Sequence, residues 1–100
     1  MDFHHTKDAA HGLFIAQQDG QKAGEVSYFE SGDNIIVLDH TAVEDAFQGQ
    51  QLGKRLVDQV VDYARANGLK IVPQCTYAHR LFEKSDHYAD VWQQEEPKAP

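Results

Sequence analysis

Apolar and polar positions alternate along the first part of the chain and then change period. Leu13 to Ala16 open an apolar run, and Asp19-Gly20 behind it is a hairpin signal, because both positions of a two-residue turn favour positive φ. The return segment, about Ala23 to Phe29, places Val26 and Tyr28 on one face and Glu25, Ser27 and Phe29 on the other. Ser31-Gly32-Asp33-Asn34 supplies a second turn into a strand from Asn34 to Asp39. That strand carries four consecutive apolar residues, Ile35 to Leu38, which predicts cover on both of its faces. Tight turns between successive strands make an antiparallel meander.

From Leu52 the spacing becomes helical. Leu52, Leu56, Val60, Tyr63 and Ala64 form one stripe, widened by Val57 and Val61, while Lys54, Arg55, Asp58, Asp62 and Arg65 occupy the other side. Asn67-Gly68 ends the helix, since glycine accepts the left-handed conformation common there. Lys70 to Pro73 form a short strand, and the helix before it is long enough to bring it parallel to Ile35–Leu38. Thr76 is a candidate cap for a second helix reaching about Lys84, with Leu81 and Phe82 facing the core; Tyr88, Val91 and Trp92 make a last apolar patch. Residues 1–11 and 93–100 read as frayed ends of one small domain over residues 1–100. The expected fold is α+β in the order β-β-β-α-β-α, with a mixed, mostly antiparallel sheet and one splayed parallel strand pair.

The polar stretch between third strand and first helix is the candidate site. A strand, a glycine-bearing loop and a helix in that order bring the helix's first backbone N–H groups to one edge of the sheet. Those donors have no partner inside the helix, and the helix dipole adds partial positive charge, so the place favours an anion such as a phosphate.

Composition narrows the partners. Nine basic against 16 acidic residues give a net charge of −7, which argues against nucleic acid and anionic membranes as partners and is compatible with an amine substrate. Cys75 is the single cysteine, so an intramolecular disulfide and a multi-thiolate zinc site are excluded. His4, His5 and His11 lack convergent ligand spacing and read as solvated, so no metal is expected. The N-terminal MDFHHTKDAAHG lacks a signal peptide's apolar core, and the expected location is the cytoplasm.

Asp39-His40-Thr41-Ala42-Val43 followed by Phe47-Gln48-Gly49-Gln50-Gln51-Leu52-Gly53-Lys54 resembles the acetyl-CoA-binding core of the GCN5-related N-acetyltransferases. Their loop has the form (Arg/Gln)-x-x-Gly-x-(Gly/Ala); Gln48 and Gly53 match its first and last fixed positions, and Gln51 stands where the middle glycine is expected. With Ile71-Val72-Pro73-Gln74-Cys75-Thr76-Tyr77-Ala78 and Phe82, the chain from about Gly12 to Val91 looks like a minimal, YjdJ-like subgroup of that superfamily.

The resemblance implies acetyl-CoA as cosubstrate and a small-molecule or peptide amine as acceptor. It implies the pantetheine arm and thioester at the backbone of Thr41, Ala42 and Val43, and the diphosphate at Gln48, Gly49, Gln50, Gln51, Leu52, Gly53 and Lys54. His40, where the central strand leaves the core, is either a general base or a strand-end histidine bonding a carbonyl. Cys75 is a proton donor to the CoA thiolate, a nucleophile, or a small buried residue. Tyr77 donates to the thiolate, packs against the pantetheine, or serves as a core aromatic. The rival function is a CoA-binding module with little or no catalysis, consistent with Gln51 and the short chain. The acceptor and the oligomeric state stay open.

Overall fold

A computed structural model of the chain describes residues 1–93; of the tail expected to fray, 93–100, Gln93 is held by its amide's 2.8 Å bond to the Ile71 carbonyl, and 94–100 lie outside the described residues. Its elements are β1 (Asp2–Asp8), β2 (His11–Gln18), β3 (Gln21–Glu30), β4 (Ile35–Val43), α1 (Leu52–Asn67), β5 (Lys70–Pro73) and α2 (Thr76–Lys84), with 3₁₀ turns at Asp45–Phe47 and Asp86–Tyr88. The sheet runs in the order β1-β2-β3-β4-β5, antiparallel except for the parallel β4–β5 pair. Asp19 and Gly20 both take positive φ in the β2–β3 turn, and Gly68 adopts the left-handed conformation beyond α1. Thr76 does not cap α2; Cys75 holds the cap position, with no side-chain cap bond.

The expectation of a frayed N-terminus is overturned, because Asp2–Asp8 pair along their length with β2. An edge strand buries little, so its sequence can stay polar and give no apolar signal. The β1–β2 turn is equally inconspicuous: Ala9 takes φ +36 without a glycine, asparagine or aspartate. Two side chains of the strand, Phe3 and His5, hold it to α1. Arg55 lies over the Phe3 ring at 5.2 Å, and His5 stacks on Phe14 at 4.1 Å while meeting Tyr63 edge-on at 4.8 Å. His5 Nε2 also shares a 2.7 Å hydrogen bond with the hydroxyl of buried Tyr28. The reading of His5 as a solvated histidine is therefore corrected: it remains exposed at the strand edge, but its ring belongs to an aromatic cluster.

Partial desolvation, helped by Lys7, lowers the His5 pKa below that of a free imidazole. The unfolded chain then binds more protons than the folded one as pH falls below about 6.5, so stability drops with acidification through that window. We expect His5→Gln to flatten the pH dependence of the denaturant midpoint between pH 7 and 5. An identical slope in the variant would remove His5 as its source.

One hydrophobic cluster joins Val26, Tyr28, Ile36 and Leu38 of the sheet to Leu56, Val60 and Ala64 of α1 and Ala78 and Phe82 of α2. Both helices thus pack into one core. Ile36, Val37 and Leu38 are all buried, as the apolar run predicts; Val37, on the opposite face between its strand neighbours Phe29 and Val72, lies outside the core cluster of the described residues. Leu13, Ile15, Ser27 and Phe29 on that face are only half-buried.

An irregularity in β4 positions the site. Ser27 pairs with His40 and Tyr28 with Leu38, so Asp39 is an extra residue bulged from the ladder. In a regular strand Leu38, His40 and Ala42 would share a face. The bulge instead turns Thr41 and Val43 toward the α1 side, beside Val26 and Gly24, and sends His40 and Ala42 to the open face beside Ser27 and Glu25. β4 also runs on to Val43, beyond the strand end expected near Asp39.

Candidate active site

β5 accompanies β4 only from Ile35 to Leu38. The amides of Gln74 and Cys75 both donate to the Leu38 carbonyl, at 3.0 and 3.1 Å, and the chain then turns away into α2. Residues 39–43 keep β3 on one side and, among the described residues, have no strand on the other. This is the splayed parallel pair that the sequence predicts.

A groove of about 320 Å³ opens on the helix side of the split, lined by Thr41, Val43, Phe47, Gln48, Gly49, Gln51, Leu52, Gly53 and Tyr77. Most of the expected binding residues meet here. Ala42 lies on the opposite face, and Gln50 and Lys54 do not line the groove. Phe47, which sequence reasoning missed as a wall of the site, is buried and anchors the loop through its ring. An isolated aromatic in a polar stretch was the available signal.

The loop is shaped by backbone rather than side chains. Gly49 has φ +86 and Gln51 φ +58, so the helix is entered through a left-handed residue. No side chain caps α1, and its first internal bond runs from the Arg55 amide to the Gln51 carbonyl. The amides of Leu52, Gly53 and Lys54 thus precede any helical partner, and Gln51, Leu52 and Gly53 line the groove. Gln48, the first motif position, donates through Nε2 to the Val43 carbonyl at 3.3 Å, tying the loop to the end of β4. Lys54 pairs with Asp58 at 3.0 Å on the exposed helix face. Such a pair contributes about 1 kcal/mol or less, so an incoming anion competes readily for the ammonium.

Gln51 therefore occupies a conformation that explains the glycine in the motif. A left-handed non-glycine residue costs roughly 1–2 kcal/mol, partly offset in glycine by its larger unfolded-state freedom. Gln51→Gly is expected to leave stability unchanged or raise it by up to about 1 kcal/mol, read from the denaturant midpoint. A clear loss would show that the glutamine side chain supports the loop.

Tyr77 forms the opposite lip. A Cβ built on Gly53 would lie 2.9 Å from the Tyr77 ring, so the missing side chain lets the ring cover the first turn of α1. Tyr77 is 41% exposed, while partial burial pushes its phenol above the ordinary range and keeps it a proton donor at neutral pH.

The structure does not bring His40 and Cys75 into one hydrogen-bonded pair. His40 Nε2 lies 3.6 Å from Glu25 Oε2 on the open face, and Glu25 is in turn held by Lys22. Cys75 Sγ lies 3.6 Å from Thr41 Oγ1, at the N-terminal cap of α2 and half-buried. The bulge separates them, since His40 and Thr41 are neighbours pointing to opposite faces. Glu25 was not singled out in the sequence, as only strand register sets it beside His40. Among the described residues no group of three or more His, Cys, Asp or Glu side chains is placed to hold a metal ion, and no helix is long and apolar enough to cross a membrane.

Comparison with known proteins accounts for this architecture. Three solved structures illustrate the likeness. A GCN5-like candidate N-acetyltransferase from Staphylococcus aureus is 34% identical, covering 94% of this chain and 91% of that chain at a TM-score of 0.69. The ribosomal-protein-alanine N-acetyltransferase of Brucella melitensis biovar Abortus 2308 shares 20% identity over 93% of this chain and 69% of that one, at a TM-score of 0.66. A candidate streptothricin acetyltransferase from Bacillus anthracis str. Ames, in complex with acetyl coenzyme A, shares 18% over 77% and 47%, at 0.60. The latter two speak to the fold alone. No curated protein matches the chain. The sequence profile of the GCN5-related N-acetyl-transferases matches residues 13–91, and with that match spanning most of its length the chain belongs to this family.

Proposed function

We propose that the protein transfers an acetyl group from acetyl-CoA to an amine, in the cytoplasm, within a single small domain. The observation that carries this reading is the uncapped, left-handed entry to α1, which turns amide donors into a groove continuous with the split between β4 and β5. The diphosphate sits at Gly49 to Lys54, where the field at the helix end opposes the chain's overall negative charge. The pantetheine arm follows Thr41 to Val43 between groove wall and Tyr77. The Bacillus anthracis structure, which shares the fold, is a complex with acetyl coenzyme A, and this supports acetyl-CoA as the cosubstrate.

The reaction is direct attack. The amine nitrogen bonds to the thioester carbonyl carbon, the carbon–sulfur bond breaks, and backbone amides at the split stabilise the oxyanion in between. His40, 3.6 Å from the Glu25 carboxylate, takes the proton that the amine loses. The departing CoA thiolate takes a proton from the Cys75 thiol, with the Tyr77 hydroxyl as a second donor at the groove lip.

Thermal unfolding with acetyl-CoA, CoA and unrelated nucleotides, followed by thiol release on addition of mixed amines, tests the proposal. A selective rise in Tm with both CoA forms and amine-dependent thiol release are expected. No stabilisation by acetyl-CoA contradicts it. Stabilisation without turnover identifies a binding module instead.

A further inference from the structure

A second hollow, of about 370 Å³, lies on the face of the sheet opposite α1 and α2; Thr6, Asp8, His11, Leu13, Ser27 and Asp39 contribute to it. Strand register shows where it leads. Thr6 pairs with Leu13, Leu13 with Ser27, and Ser27 with His40, so these residues form one row across β1 to β4 on the open face. Three inter-strand spacings make that row roughly 14 Å long. At its β4 end the bulge presents Asp39, whose Oδ1 accepts a 2.8 Å bond from Ser27 Oγ. Asp39, His40 and Thr41 are consecutive: the first lines this hollow, the last lines the groove at the start of α1, and His40 stands between.

We infer that this hollow is the acceptor site, and that it takes an elongated aliphatic amine with a second positive group, such as a short polyamine. This rests on the acetyltransferase reading above. Direct attack requires the acceptor to approach the split from a side that acetyl-CoA does not occupy, and the open face supplies that approach. Leu13 gives an apolar floor for methylenes, and the hydroxyls of Thr6 and Ser27 flank it. Carboxylates stand at both ends, Asp39 beside His40 and Asp8 on β1. The one ammonium in the lining, Lys7, is drawn away to Glu30 and to the Ala9 carbonyl, both at 2.9 Å. The β1 strand is therefore part of the site rather than an appendage.

The test uses the full chain, with spermidine, a neutral-tailed monoamine of similar length and a neutral peptide amine as acceptors, and acetyl-CoA affinity measured separately. Spermidine is expected to have the highest kcat/KM. Asp8→Asn should raise its KM about tenfold, the loss of one charge-assisted contact, and leave the monoamine unaffected. Leu13→Trp, which fills the hollow, should lower kcat/KM for every acceptor at unchanged acetyl-CoA affinity. Equal use of neutral acceptors, or an Asp8→Asn KM that does not move, overturns the inference while acetyl transfer stands. Acetyl-CoA binding with no amine turnover also overturns it. Failure to bind acetyl-CoA removes the underlying reading, and the inference with it.

Discussion

His40→Ala is expected to lower kcat by about a hundredfold or more, with acetyl-CoA affinity changed by less than about twofold. The imidazole lies on the open face and does not line the groove proposed for the cosubstrate, so its loss should leave ground-state contacts intact. It is accessible, next to the β4–β5 split, and paired at 3.6 Å with Glu25. A loss confined to turnover marks an interaction made only as the proton moves. His40→Gln, which keeps polarity without basicity, should be nearly as impaired. An unchanged rate in either variant would take the base role away from His40. Glu25→Gln should give a smaller loss, because it acts through the histidine.

The largest effect on stability is expected from Gly12→Ala. An alanine Cβ there would stand 2.1 Å from Cζ and 2.3 Å from Oη of Tyr28. Tyr28 is only 1% exposed and is held by Phe14, Tyr63 and the His5 bond, so the ring cannot swing into solvent as an exposed side chain could. Overpacking of this kind costs about 3 kcal/mol, a large share of the 5–15 kcal/mol typical of a domain. For a chain this short, that corresponds to a fall in Tm of roughly 12–24 °C. Gly20→Ala, where a Cβ meets nothing within 4 Å, is the comparison: it carries only the strain of its positive φ. Similar losses in the two variants would mean that Tyr28 yields and the aromatic cluster is soft.

Much of this arrangement is legible in residue order. The helical stripe from Leu52, the stop at Gly68 and the strand at Lys70–Pro73 are local signals, and the structure has them at those residues. So is the hairpin at Asp19-Gly20. β1 was illegible because an edge strand needs only backbone partners and a few ring contacts, and its turn at Ala9-Ala10 carries no turn residue. The bulge at Asp39 was hidden for another reason. Its trace is a slip in the apolar phase, from Ile36 and Leu38 to Val43, which Ala42 obscures. That slip decides which face His40 takes, and with it which residues the histidine can meet. Glu25 and the open-face row follow from register alone, which no short-range pattern encodes.

The positive φ at Gln51 was likewise beyond reach, although the glycine normally found there hinted at it. The family resemblance supplied acetyl-CoA; the backbone supplies the physical reason that this loop suits a diphosphate.

Amide chemical shifts followed during titration with acetyl-CoA test the central claim most directly. The largest changes are expected at Gly49 and Gln51 to Lys54, with a second set at Thr41 to Val43, and removal of the nucleotide diphosphate from the ligand should abolish the first set while sparing the second. Shifts that bypass the start of α1, or that persist there without the diphosphate, would contradict it.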